Sequence, residues 1–205
     1  MPEYRLHYFN GRGAAEPARL LFALADVKYE DVRYEKVAWI AKKREMPHGA
    51  LPVLEIDGNM MTQSQAIIRY LAMEYGFHGS NNMEIFQIDE IHEAVVELQR
   101  DLYDARFETD EERKKEILDT LQLRIIPSFM TFIEMRLAEN EGDKGHFIHD
   151  RITLADVLIY NIIFNIEQFT NVETYKWPRL KAVYNKMETD PKIVAWLEKR
   201  PLTDY

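Results

Sequence analysis

Along the first third of the chain the spacing of apolar positions changes every ten residues or so, as short strands alternating with helices require. Tyr4, Leu6 and Tyr8 alternate with Arg5, His7 and Phe9, which predicts a short strand. Gly11 and Gly13 break that run. Pro17 then falls in a first helical turn, where its missing N–H costs nothing, ahead of a stripe of Leu20, Leu21, Leu24 and Ala25. A second strand is expected over 28–34 and a short helix over 38–44. The clearest local signal is Pro52 to Ile56, then Asp57-Gly58, then Asn59 to Thr62. An Asp-Gly pair supplies the positive φ angles of a two-residue hairpin, so these two strands run antiparallel. Ser64 is placed to cap a helix carrying Ile67, Ile68, Leu71 and Tyr75.

From Asn82 onward the period is helical throughout. Ile85, Ile88, Ile91, Val95, Leu98 and Leu102 form one long stripe, and Thr109 with Glu112 reads as a capping box for a second long helix through Leu137. Pro127 lies inside that run and should kink it. Thr153-Leu-Ala-Asp156 is another capping box, before a helix apolar on nearly every side, which belongs at the centre of a bundle. Trp177-Pro178 and Asp190-Pro191 open two more helices. The expected architecture is an α/β domain over 1–76, of order βαβ then ββα, joined to an all-helical domain over 82–205.

Composition narrows the chemistry. The chain has 205 residues, 46% hydrophobic, enough to bury a core, and no cysteine. It therefore has no disulfide, no Cys-ligated zinc and no thiol nucleophile of its own, and any sulfur chemistry must arrive on a substrate. With 26 basic and 35 acidic residues the net charge is −9, which repels nucleic acid. The start MPEYRLHYF has no basic-then-apolar leader, and no window approaches a membrane span, so the expected home is the cytoplasm, away from membranes.

Several motifs need weighing. Gly11-Arg-Gly13-Ala-Ala-Glu16 lacks the third glycine of a dinucleotide fingerprint, and the antiparallel hairpin breaks the parallel sheet such a site needs. His146-x-x-His149 has no third ligand and reads as a surface loop, so no metal is expected. Glu93, Glu97, Asp101 and Asp104 share part of one helix face, which reads either as a solvated face or as a groove that attracts cations. Gln63-Ser64 at a helix N-terminus is suited either to capping or to holding a carboxylate. Tyr8 closes the first strand beside the glycine turn, Trp39 and Lys43 are one helical turn apart, and Pro52 follows Leu51 with either peptide isomer open.

Taken as a set, Tyr8-Phe-Asn-Gly-Arg-Gly, Ala15-Glu-Pro-Ala-Arg19, Leu51-Pro-Val-Leu, Gln63-Ser-Gln-Ala-Ile-Ile-Arg-Tyr70 and Ile152-Thr-Leu-Ala-Asp156 resemble a cytosolic glutathione transferase. The resemblance runs the whole chain and is strongest to the sigma class, which includes haematopoietic prostaglandin D synthase and many invertebrate enzymes. It implies a thioredoxin-like N-terminal domain, a helical C-terminal domain and a homodimer, with glutathione as co-substrate. By position it makes Tyr8 the catalytic hydroxyl facing the glutathione sulfur. Trp39 and Lys43 hold the glycyl end, beside Gly49 and Ala50, while Leu51 and Pro52 present main chain to the cysteinyl part. Gln63 and Ser64 take the γ-glutamyl carboxylate, and Glu97 of the partner subunit takes its amine. The hydrophobic substrate pocket is implied at Phe9, Gly11, Ala14, Tyr103, Asp104 and Leu202. Two departures stand out: Ala14 and Ala50 replace long polar residues. The implied activity is conjugation of glutathione to small hydrophobic electrophiles. Its alternatives are glutathione-dependent isomerisation of prostaglandin H2 to D2, or non-catalytic binding of the ligandin or lens-crystallin kind.

Overall fold

The computed structural model describes residues 2–140 and 145–203. The chain forms two compact units, Met1–Phe77 together with Pro191–Tyr205, and His78–Asp190. In the first, strands β1 (Tyr4–Phe9), β2 (Glu30–Tyr34), β3 (Val53–Ile56) and β4 (Asn59–Thr62) make one sheet in the order β2-β1-β3-β4. The β1–β2 pair is parallel, and β3 is antiparallel to both β1 and β4. Asp57 and Gly58, with φ of 49° and 82°, make the expected hairpin turn.

Helices α1 (Glu16–Ala25) and α3 (Ser64–Glu74) pack together, and their apolar residues are buried with Tyr4, Leu6 and Leu54 of the sheet. Helix α2 (Lys36–Lys42) is short and buries no residue fully. Helix α9 (Pro191–Lys199), expected in the helical domain, packs against α1 instead. Its tether is polar as well as apolar. Trp196 Nε1 and Arg200 donate to the buried Glu16 carboxylate at 3.0 and 2.7 Å, and Lys192 donates to the Leu24 carbonyl. Glu16 also pairs with the buried Arg19. Burial pushes the Glu16 carboxyl up, but Arg19, Arg12, Trp196 and Arg200 outweigh it, so the acid stays ionised below its ordinary range.

In the second unit, α4 (Asn82–Phe107) packs on α7 (Leu154–Phe169), and α7 on α8 (Pro178–Thr189). The predicted α7 capping box is present: the Asp156 carboxylate accepts from the Thr153 N–H and hydroxyl, both at 2.7 Å. His146 is buried, not in a surface loop, because its Nδ1 lies 3.1 Å from the same carboxylate.

Two further expectations are corrected. The second long helix is capped by Asp110, which accepts from the Arg113 N–H, rather than by Thr109. It is also divided into α5 (Glu111–Thr120), a π-helical turn over Leu121–Ile125, and α6 (Ile126–Glu139). Pro127 cannot donate a helical hydrogen bond. The extra residue per turn just upstream, where the Ile126 N–H reaches Leu121 O, absorbs that defect at the start of α6.

The N-terminus of α4 is held by Glu84. Its carboxylate accepts from the Ser80 N–H and hydroxyl, both at 2.9 Å, and from Arg151 at 2.7 Å. The Ser80 main-chain bond leads the groups that hold its pKa at about 2. A depressed acid stabilises the fold above its ordinary pKa and loses that contribution as pH falls through the folded value. Thermal melting should therefore show Glu84→Gln several degrees below wild type at pH 7, with the gap closing as pH falls from about 4.5 towards about 2.

Candidate active site

Strand register brings the sequence-predicted residues of the first unit to one end of the sheet. His7 pairs with Val53 and Val53 with Thr62, so Tyr8, Pro52 and Gln63 each lie one step past a ladder pair on the same side. The parallel partner β2 ends there too, with Phe9 opposite Tyr34. Ligands of open α/β sheets bind outside the carboxyl ends of the parallel strands, here β1 and β2.

Tyr8 is the best defined of these groups. Its hydroxyl oxygen accepts a hydrogen bond from the Ala14 N–H at 3.1 Å. Gly13 makes this approach possible, since a Cβ there would stand 2.4 Å from the Tyr8 hydroxyl, and its φ of +41° also favours glycine. The loop is anchored from below by Arg19, which donates to Gly11 O at 2.6 Å and to Asp31 at 3.1 Å, with its guanidinium 5.8 Å from the Tyr8 ring centre. Arg19 was not singled out from the sequence as a site residue; a lone arginine inside an apolar helical stripe was the available signal.

Trp39 stands on α2 with its ring 5.6 Å from Phe9 and 6.2 Å from Tyr34, so Phe9 serves as a prop for Trp39 as well as a neighbour of Tyr8. Lys43 follows α2, and its side chain passes close to Gly49. Its neighbour Lys42 is paired with Glu45 at 2.7 Å, which raises the Lys42 pKa, whereas Lys43 forms no ion pair among the described residues. The Leu51–Pro52 peptide is cis, and Ala50 is exposed.

At α3 the cap position belongs to Gln63 rather than to Ser64, and neither side chain caps the helix. The first N–H groups of α3 and the positive end of its dipole are thus left for an anion. Gln63 also holds φ 74°, a conformation costly for a residue with a side chain. Together these features fit a ligand with a carboxylate for α3, a second anion for Lys43 and a reactive group for Tyr8.

The remaining predicted residues lie on other elements or loops. Glu97, Tyr103 and Asp104 lie on α4 of the helical unit. Glu97 and Asp104 are exposed, and Tyr103 packs on Phe107. Asp104 and Asp101 line a cavity of about 730 Å³ between α4 and α5, with Phe107, Ile117 and Leu121 among its walls. Asp101 has its pKa raised, first by burial and then by Asp104. Leu202, past α9, is exposed, and Gly11 is buried. Among the described residues no group of three or more potential ligands could hold a metal ion. No helix of the described residues is long and apolar enough to cross a membrane.

Comparison with known proteins identifies the family. Residues 4–73 match the family model of the glutathione S-transferase N-terminal domain, and residues 97–200 that of its C-terminal domain. S-crystallin SL11 of Nototodarus sloanii is 40% identical over the full length of both chains. The prostaglandin synthase D of Nilaparvata lugens superposes with a TM-score of 0.89 at 32% identity, over 98% of this chain and 100% of that one. A monomeric glutathione S-transferase from the hookworm Necator americanus superposes with a TM-score of 0.90 at 32% identity, over 99% of this chain and 100% of that one.

Strain at Gln63 yields a test of what that residue does. Gln63→Gly removes the steric cost of the positive φ, roughly 1 kcal/mol, and should leave the melting temperature unchanged or higher. Calorimetric titration with glutathione should show weaker binding by the same variant, since the side chain is lost from the anion site.

Proposed function

The chain belongs to the glutathione S-transferase family, and we propose that it is a sigma-class-like enzyme that ionises the glutathione thiol with Tyr8 and conjugates it to small hydrophobic electrophiles. The observation that carries this reading is the Ala14 N–H bonded to the Tyr8 oxygen over a glycine that leaves room for nothing larger. A phenol that accepts one hydrogen bond becomes a stronger donor of its own proton. Tyr8 then donates that proton in a hydrogen bond to the thiolate, without forming a covalent link to substrate.

An ordinary thiol of pKa about 8.5 is only a few per cent ionised at neutral pH. A drop of ~2 units, or about 2.7 kcal/mol, makes the thiolate the main form. The uncapped N-terminus of α3 with Gln63 and Ser64 receives the γ-glutamyl carboxylate, the main chain of Leu51 pairs with the cysteinyl part, and Trp39 with Lys43 receives the glycyl carboxylate. Holding an electrophile beside the sulfur supplies the remaining acceleration by proximity. The Ala14 side chain adds no positive charge, but its N–H, the donor this reading needs, does not depend on the side chain.

A second reading, favoured by the similarity to S-crystallin SL11, is a structural or carrier protein that has kept the ligand cleft. Isomerisation of prostaglandin H2 would use the same thiolate and is distinguished only by substrate. Glutathione-dependent turnover of a chlorodinitrobenzene decides between enzyme and carrier. Wild type should exceed the uncatalysed rate, and Tyr8→Phe should lower kcat by roughly 10- to 100-fold while shifting the KM for glutathione about twofold or less. Bound glutathione without turnover by wild type would establish the carrier reading.

Glu97, exposed on α4, is in this reading the acid that meets the γ-glutamyl amine of the other protomer's ligand. Sedimentation should accordingly find a homodimer at micromolar concentration, and Glu97→Gln should raise the KM for glutathione without dissociating it. An active monomer would remove the cross-subunit role.

A further inference from the structure

We propose that His7 is a positioning residue of the glutathione subsite, acting through Tyr34 to set the indole of Trp39. The inference rests on the reading above, in which Trp39 meets the glycyl end of the tripeptide.

Strand alternation turns His7 away from the Leu6 face of the sheet, yet His7 is only 7% exposed. Its two ring nitrogens are both engaged across neighbouring strands. Nδ1 lies 2.8 Å from the Tyr34 hydroxyl on β2, and Nε2 lies 3.2 Å from the Glu55 carboxylate on β3. A carboxylate only accepts, so in the neutral ring Nε2 carries the hydrogen and Nδ1 is left to accept from Tyr34. Arg5 adds a contact of 3.4 Å to Glu55 and so holds the far end of the chain. The His7 and Tyr34 rings lie nearly parallel, 6.0 Å apart, so hydroxyl and ring are both constrained.

Tyr34 passes this constraint to α2. Of the seven residues of that helix only Trp39 is not exposed, which makes its indole the anchor of α2 on the sheet. The indole rests on two aromatic rings, Phe9 and Tyr34, and of these only Tyr34 has a polar group for a buried partner to hold. Releasing the Tyr34 hydroxyl therefore loosens one of the two supports of Trp39 without touching Tyr8.

The test uses the full chain labelled with 5-fluorotryptophan, whose three tryptophans give three fluorine resonances, that of Trp39 identified by its loss in Trp39→Phe. In His7→Leu and in the milder Tyr34→Phe, the Trp39 resonance should shift or broaden while the other two stay in place. His7→Gln keeps one acceptor and one donor and should restore it. The KM for glutathione should rise roughly 2- to 10-fold in His7→Leu and Tyr34→Phe, with kcat held within about twofold. The double variant should be no worse than the poorer single one, because both remove the same bond. An unmoved Trp39 resonance in folded Tyr34→Phe, or losses that multiply in the double variant, would overturn the proposal. A Trp39 resonance that responds to these variants but not to glutathione overturns instead the placement of Trp39 in the subsite, and with it what His7 is said to position.

Discussion

The buried pairing of Arg19 with Glu16 is the constraint on which the sheet unit rests. Both side chains are fully withdrawn from solvent, and each extends its hydrogen bonding to a different part of the fold. Arg19 takes the Gly11 carbonyl and Asp31, fixing the loop that carries Gly13 and Ala14. Glu16 takes Trp196 and Arg200, fixing the last helix. Losing one member of a pair buried in this way costs about 3–5 kcal/mol, because the other charge is left uncompensated. The position of one N–H beside the Tyr8 hydroxyl thus depends on an ion pair fully withdrawn from solvent.

Main-chain groups are prominent at the candidate site. The Ala14 N–H reaches Tyr8, the leading N–H groups of α3 have no side-chain cap, and the cis Leu51–Pro52 peptide stands where β1, β3 and β4 end together. Such groups survive substitution of the side chains around them. This explains how alanine is accommodated at position 14, where the family resemblance leads one to expect a longer polar residue; nothing in the structure explains the alanine at position 50.

The regular elements were legible in the sequence because their causes are local. Alternation marked β1, Asp57-Gly58 marked the hairpin, and Thr153 with Asp156 marked the start of α7. Where the reading failed, several local signals competed or a distant partner decided. Thr109 and Asp110 are both good caps, and only the geometry of the turn selects Asp110. Pro127 announced a defect in the helix but not that a π-helical turn would absorb it. His146 looked solvent-facing among glycines and charges, yet a buried Asp156 ten residues away draws it inward.

The candidate site divides along the same line. Only Gln63-Ser64, at a helix N-terminus, suggests an anion from residue type alone; Tyr8, Trp39 and Lys43 enter the candidate site through the family resemblance, since taken singly each reads as a core or surface residue. Spacing along the chain carries no information on which side chains meet when three strands from distant segments pair. Tertiary structure alone decided that Phe9 and Tyr34 would support Trp39, that His7 would lie between Tyr34 and Glu55, and that α9 would settle against α1. Those contacts arise from sheet register and the packing of buried charges, both of which are long-range in sequence and short-range in space.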